Sequence, residues 1–166
     1  MIIRNEKDSD VQAISEITIA AFTNHPFSKQ TEQFIITALR KANTLSLSLV
    51  AEIEGRVVGH MAFSPVSISG RSSDWYGLGP ISVLPNYQKE GIGKALIQEG
   101  LAVLRSRGAK GCMLVGDPNF YKRFGFKNLP ELILEGIPQE YFLALPFGEN
   151  KASGVVVFHE AFSAKG

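Results

Sequence analysis

The sequence predicts a mixed α/β (α+β) domain whose central, mostly antiparallel sheet of about seven strands is flanked by about four helices. Three observations lead there. After a short opening strand, apolar residues recur at helical spacing through the first 42 residues, then run or alternate at strand spacing to residue 84. Helical spacing returns for one long element that begins at Gly91. The tail is again β-favouring and is broken by turn residues.

Each element has its own signal. Asp8, Ser9 and Asp10 form an N-cap cluster ahead of Val11, Ile14, Ile17 and Ala21, so a helix runs near 10–22 and stops at Asn24-His25-Pro26. A second helix, near 29–42, gathers Phe34, Ile35, Ala38 and Leu39 on one side. Residues 45–53 and 56–66 read as strands joined by Glu54-Gly55, a pair suited to a two-residue hairpin turn. Residues 70–74 are polar turn material, and 75–84 completes a three-strand meander that Pro85-Asn86 ends. From Gly91 onward, Ile92, Leu96, Ile97, Gly100, Val103 and Leu104 share a face, and Gly108 offers a C-cap. Residues 110–115 read as a buried strand, and 118–124 as a short helix that Gly125 terminates. Residues 141–147 and 154–159, separated by 148–151, are expected to pair as a final hairpin.

Composition bounds the function. A chain of 166 residues, 45% hydrophobic and 20% charged, is expected to form a single domain over residues 1–166. A net charge of +1 provides no global field for nucleic acid, so any anion site must be local. No apolar run approaches the roughly 20 residues of a membrane span, and the N-terminus lacks a signal-peptide pattern, so a cytoplasmic location with no membrane partner is expected. Cys112 is the lone cysteine and the three histidines stand at 25, 60 and 159, a set that does not suggest a metal site.

The informative stretch is residues 78–96: a strand, a loop with Gly91 and Gly93, and then the strong helix. Glycines let the backbone approach a ligand, and the first N–H groups of a helix have no partner inside it, which suits an anion. Lys89 and Lys94 flank the turn and add positive charge where a diphosphate would lie. Two other phosphate motifs fail by inspection. A dinucleotide fingerprint needs glycine where Leu96 stands, and a nucleoside-triphosphate loop needs glycine at Gln88 and Ser or Thr at Ala95.

Gln88-Lys89-Glu90-Gly91-Ile92-Gly93 after Val83-Leu84-Pro85, together with Asn119-Phe120-Tyr121-Lys122-Arg123-Phe124-Gly125-Phe126, resembles the GNAT N-acetyltransferases. The order of elements resembles that family over nearly the whole chain. The resemblance implies acetyl-CoA as acyl donor, an amine as acceptor, and a GNAT-like sheet splayed in the middle, between the strand ending at Val83 and the strand near 111–115. It implies donor contacts from Ile81, Ser82, Val83, Gln88, Lys89, Glu90, Gly91, Ile92, Gly93, Lys94, Asn119, Tyr121 and Lys122. Pantetheine would then hydrogen-bond the backbone of Ile81 and Val83 like a neighbouring strand, and a backbone N–H near Val83 would meet the oxyanion.

Acetyl transfer to an amine needs a proton for the departing thiolate. Tyr121 is the candidate acid, because a phenol with an ordinary pKa of about 10 is protonated at neutral pH while a thiolate of about 8.5 accepts a proton. The competing reading of Tyr121 is a half-buried aromatic packed with Phe120, Phe124 and Phe126. The general base stays open: many relatives carry Glu on the strand before the loop, but residues 78–84 hold no carboxylate. Glu52 and His60 are read as surface or satisfied hairpin residues, and Cys112 as a small buried one. Two further classes remain open at this stage. One is a non-catalytic acyl-CoA sensor. The other is an interaction domain in which Tyr141, Phe142, Phe147 and Phe158 of the final hairpin dock a partner or a second copy as a homodimer. No motif identifies the amine.

Overall fold

The computed structural model describes residues 1–166 and divides them into two compact units. The first comprises Met1–Phe63, Gly79–Gly100 and Glu160–Gly166; the second comprises Ser64–Leu78 and Leu101–His159. The fold is mixed α/β, with eight strands and four helices.

In the first unit β1 (Ile2–Asn5), β2 (Leu47–Ile53) and the start of β3 (Arg56–Ile68) form an antiparallel ladder. Glu54 and Gly55 make the β2–β3 turn with φ of 51° and 79°, the two positive values that a tight hairpin turn demands. The end of β4 (Arg71–Val83) neighbours β3 here, and the N–H of Leu84 donates to the carbonyl of Val58. Helices α1 (Val11–Phe22) and α2 (Glu32–Lys41) bury Ile14 and Ile36 against Val50. The first turns of α3 (Ile92–Ser106) cover the opposite sheet face. A Cβ at Gly59 would lie 3.1 Å from Ile92, and one at Gly100 would lie 2.3 Å from Met61 and 2.6 Å from Phe63. The side chains of Met61 and Phe63 therefore fill the space that a methyl group on Gly100 would need.

In the second unit β5 (Gly111–Val115) pairs in parallel with β4 over only three residue pairs, Trp75↔Gly111 to Gly77↔Met113, and antiparallel with β7 (Phe142–Pro146) along its full length. After β5 comes α4 (Pro118–Tyr121), which tightens into a turn over Lys122–Phe124 and ends at Gly125 with φ 95°. β8 (Gly154–Phe158) pairs with the end of β3 and, in parallel, with β6 (Leu132–Ile133). Trp75, Met113, Phe142, Ala144 and Val156 form the core between these strands.

The mostly antiparallel sheet matches expectation, with four corrections. Strands 142–146 and 154–158 do not pair with each other: β7 pairs with β5, and β8 with β3 and β6. A Cβ on Gly154 would meet Ser69 Oγ at 2.1 Å, so β8 is pressed against the β3–β4 turn. Residues 71–74 belong to β4, because Ser69 and Gly70, with φ of 53° and 75°, complete the turn in two residues. α2 starts at Glu32 because Gln30, at φ 62°, is outside the helical region. The eighth strand, β6, is two residues long and too short for periodicity to reveal.

Candidate active site

In the first unit, the backbone from Ile81 to Lys94 turns from strand to helix in a few residues. Ile81 and Val83 are half-buried, and Ser82 is 4% exposed. Thr18 on α1 donates its one hydroxyl proton to the carbonyl of Ile14 at 2.7 Å, so its 3.4 Å contact with Ser82 Oγ has Ser82 as donor. Ser82 thus turns its side chain to α1. A short 3-10 turn at Pro85–Tyr87 reverses the chain. Gln88 Nε2 then donates to the Val83 carbonyl at 3.0 Å and ties the loop back to the strand.

Lys89 and Gly91 take positive φ, 67° and 86°, and deliver the chain into α3. The first helical hydrogen bond of α3 runs from the N–H of Ala95 to the carbonyl of Gly91 at 3.0 Å. The N–H groups of Ile92, Gly93 and Lys94 therefore have no acceptor within the helix. Ile92 is anchored at 3% exposure against Gly59, while Lys89, Glu90 and Lys94 are exposed.

Gly93 separates two explanations for this loop. Its φ is not in the left-handed region, and a Cβ placed on it meets no atom within 4 Å. Neither backbone conformation nor packing requires glycine there. Open space beside three N–H groups with no acceptor inside the helix fits an anion seated close to the backbone.

In the second unit, Asp117 caps α4 by accepting the N–H of Asn119 at 2.9 Å. Tyr121 is half-buried, its ring edge-on to Phe120 at 4.9 Å and to Phe126 at 6.0 Å. Burial, then the neighbouring Cys112 and Asp117, push its phenol up to about 12. A phenol so placed stays protonated across the whole neutral range. Asn119 and Lys122 are exposed and line a cavity of about 520 Å³ floored by Phe126 and Leu143. Burial pushes the Cys112 thiol far up, which leaves it inert as a nucleophile.

The other candidates are engaged elsewhere. Glu52 accepts from Arg4 at 3.1 Å, and the same guanidinium holds Asp10 at 2.7 Å. His60 is fully buried rather than on the surface: it opposes Val50 on the α1/α2 face, with Nε2 2.7 Å from Ser48 Oγ. Its Nδ1 is buried with no hydrogen-bond partner, so the residue is satisfied at one nitrogen only. Phe142 and Phe147 are 2% and 5% exposed and cannot form the docking face expected of them; Tyr141 alone of that group is exposed. No group of three or more His, Cys, Asp or Glu is placed to hold a metal, and no helix is long and apolar enough to cross a membrane. The Glu6–Ser48–His60–Arg40 cluster escaped sequence reasoning because its members lie far apart in the chain.

Residues 11–126 match the family described as the Acetyltransferase (GNAT) family. The chain is 33% identical to the uncharacterized N-acetyltransferase YhbS of Escherichia coli strain K12, over 98% of this chain and 99% of that protein. It is 32% identical to the uncharacterized N-acetyltransferase YjhQ of the same strain, over 72% of this chain and 65% of that protein. Among solved structures it resembles a GNAT family acetyltransferase from Brucella melitensis in complex with acetyl-CoA, with TM-score 0.87, 50% identity and 97% of each chain covered. It also resembles Escherichia coli YhbS in complex with CoA, with TM-score 0.86, 31% identity and coverage of 99% of this chain and 93% of the other.

Proposed function

The chain belongs to the GNAT acetyltransferase family, and from that premise we propose that it passes the acetyl group of acetyl-CoA directly to the nitrogen of an amine carried by a small molecule or a peptide. The observation that carries the donor assignment is Gly93, a glycine the fold does not need, set beside three N–H groups with no acceptor inside the helix. The acetyl-CoA and CoA complexes of the two similar structures support the same reading. Their alignment along 93–99% of either chain supports treating residues 1–166 as one catalytic domain.

In this reading Gln88, Lys89, Glu90, Gly91, Ile92, Gly93 and Lys94 form the diphosphate cradle. The N–H groups take the oxygens, and the two lysines add charge that solvent partly screens. Ile81, Ser82 and Val83 offer backbone groups to the pantetheine arm. Asn119 and Lys122 contribute polar contacts from α4 and the turn after it. Acetyl-CoA supplies an acyl group already activated as a thioester. The amine lone pair attacks the carbonyl carbon, a backbone N–H near Val83 steadies the oxyanion, and the C–S bond breaks. Tyr121 gives its proton to the departing sulfur. No carboxylate lies in 78–84, and Glu52 and His60 are bound into other networks, so the amine reacts from its neutral fraction and loses its proton to water.

The test is release of free CoA thiol from acetyl-CoA in the presence of an amine panel, with mass analysis of the product. An N-acetylated product establishes the reaction. Tight CoA binding with no transfer to any amine, and no slow hydrolysis, would overturn it.

A further inference from the structure

We propose that Gly116, which the reaction scheme above does not use, is a positioning residue that sets where the Tyr121 hydroxyl sits. The inference rests on the reading of Tyr121 as proton donor. Gly116 follows β5 and its φ is outside the left-handed region, so its backbone conformation is open to any residue. What forbids a side chain is the ring. A Cβ at Gly116 would lie 2.5 Å from Cε2 and 3.1 Å from Cδ2 of Tyr121, and 3.2 Å from Cδ1 of Leu114. The missing methyl is therefore the seat of the Tyr121 ring edge.

Neither partner can step aside easily. The ring is walled by Phe120 at 4.9 Å, Phe126 at 6.0 Å and Phe124 at 6.5 Å. Its backbone is held by the N–H of Tyr121 on the Asp117 carbonyl at 3.1 Å. Gly116 is held in turn by its N–H on the Tyr141 carbonyl at 3.0 Å. A methyl group forced between them swings the ring about its Cα–Cβ bond. The hydroxyl, at the far end of the ring, moves furthest, by on the order of 1 Å, a displacement that costs about 10²-fold when it misaligns a reacting group.

The test is a cycle of Gly116→Ala, Tyr121→Phe and the double variant, read as kcat and as KM for acetyl-CoA. Gly116→Ala should lower kcat by about 10- to 100-fold with little change in KM, and should add less than about twofold once Tyr121 is Phe, because there is then no hydroxyl left to misplace. Full additivity of the two losses, or normal kcat in Gly116→Ala, overturns the positioning role while leaving Tyr121 as acid. Normal kcat in Tyr121→Phe overturns the acid reading, and the positioning role falls with it. If Gly116→Ala melts too low to assay, the cycle is run on thermal stability with Tyr121→Leu. The loss should largely vanish when the ring is gone, and an equal loss with and without the ring sinks the proposal.

Discussion

Ser48 gives its single hydroxyl proton to Glu6 and therefore receives the Nε2–H of His60 at 2.7 Å, which fixes His60 as the neutral Nε2–H tautomer with a bare Nδ1 in the core. Glu6 is clamped by Arg40 through two hydrogen bonds of 3.0 Å. Burial opposes charge on Glu6, but Arg40 and Ser48 together hold its carboxyl below the ordinary value. Burial dominates at His60 and lowers it to about 4; Glu6 and Asp10 pull the other way, and Arg40 adds to the lowering.

The sign follows from proton binding. Between about 6.5 and 4 the unfolded chain binds a proton at His60 that the folded protein refuses, so stability is full above pH 6.5 and falls as the pH drops toward 4. The loss should approach ~3 kcal/mol. Urea midpoints measured at pH 7.5 and 5 should separate for the native chain and nearly coincide for His60→Met. An unchanged separation in that variant would rule His60 out as its source.

The two glycines on α3 should behave in opposite ways. Gly93→Val places a branched side chain in open space, so the protein should fold normally yet lose CoA affinity by tenfold or more, about 1.4 kcal/mol at least. Gly100→Ala, which looks harmless from its place on the same helix, should instead destabilise by about 1–3 kcal/mol because Met61 and Phe63 occupy its methyl site. The appropriate control is the exposed Glu99→Ala. Calorimetry with CoA, paired with thermal melts, reads both effects; native affinity in a folded Gly93→Val would refute the cradle.

Lys89→Ala and Lys94→Ala should weaken CoA binding more at 20 mM than at 500 mM salt, conditions that span a Debye length of roughly 20 Å down to about 4 Å. Both lysines are exposed, so their attraction for phosphate is screened. Equal losses at the two salt concentrations would point to a damaged loop rather than a lost charge contact.

Tyr121→Phe keeps the ring on Gly116 and among the three phenylalanines, and removes only the hydroxyl. Turnover should fall by roughly 10²- to 10⁴-fold with acetyl-CoA affinity nearly unchanged. The deficit should shrink with an acyl donor whose thiol is more acidic. Because the phenol is pushed up to about 12, kcat/KM should climb with pH toward the pKa of the amine and show no falling limb below pH 10. A single-turnover rate close to native would leave Tyr121 as a wall of the site and no more.

What is local was legible in the chain of residues. The 81–94 segment is contiguous, so its glycines, its flanking lysines and its strand-to-helix switch could be read from spacing alone. The same is true of the Tyr121 cluster and the Glu54-Gly55 turn. Turn chemistry and apolar period act over a few residues, and they leave their mark in a few residues. Strand pairing emerges only in the assembled fold: 142–146 and 154–158 each have the composition of a hairpin arm, yet each satisfies its ladder on a strand distant in the chain. The same holds for burial. His60 sits 54 positions from Glu6 and 20 from Arg40, and nothing near it in the chain announces that it will be fully buried beside that ion pair. Glycines at 93, 100 and 116 look alike as letters. One faces open space, one a packed strand and one the edge of a ring, because the free energy of filling space belongs to the assembled core and not to any short segment of chain.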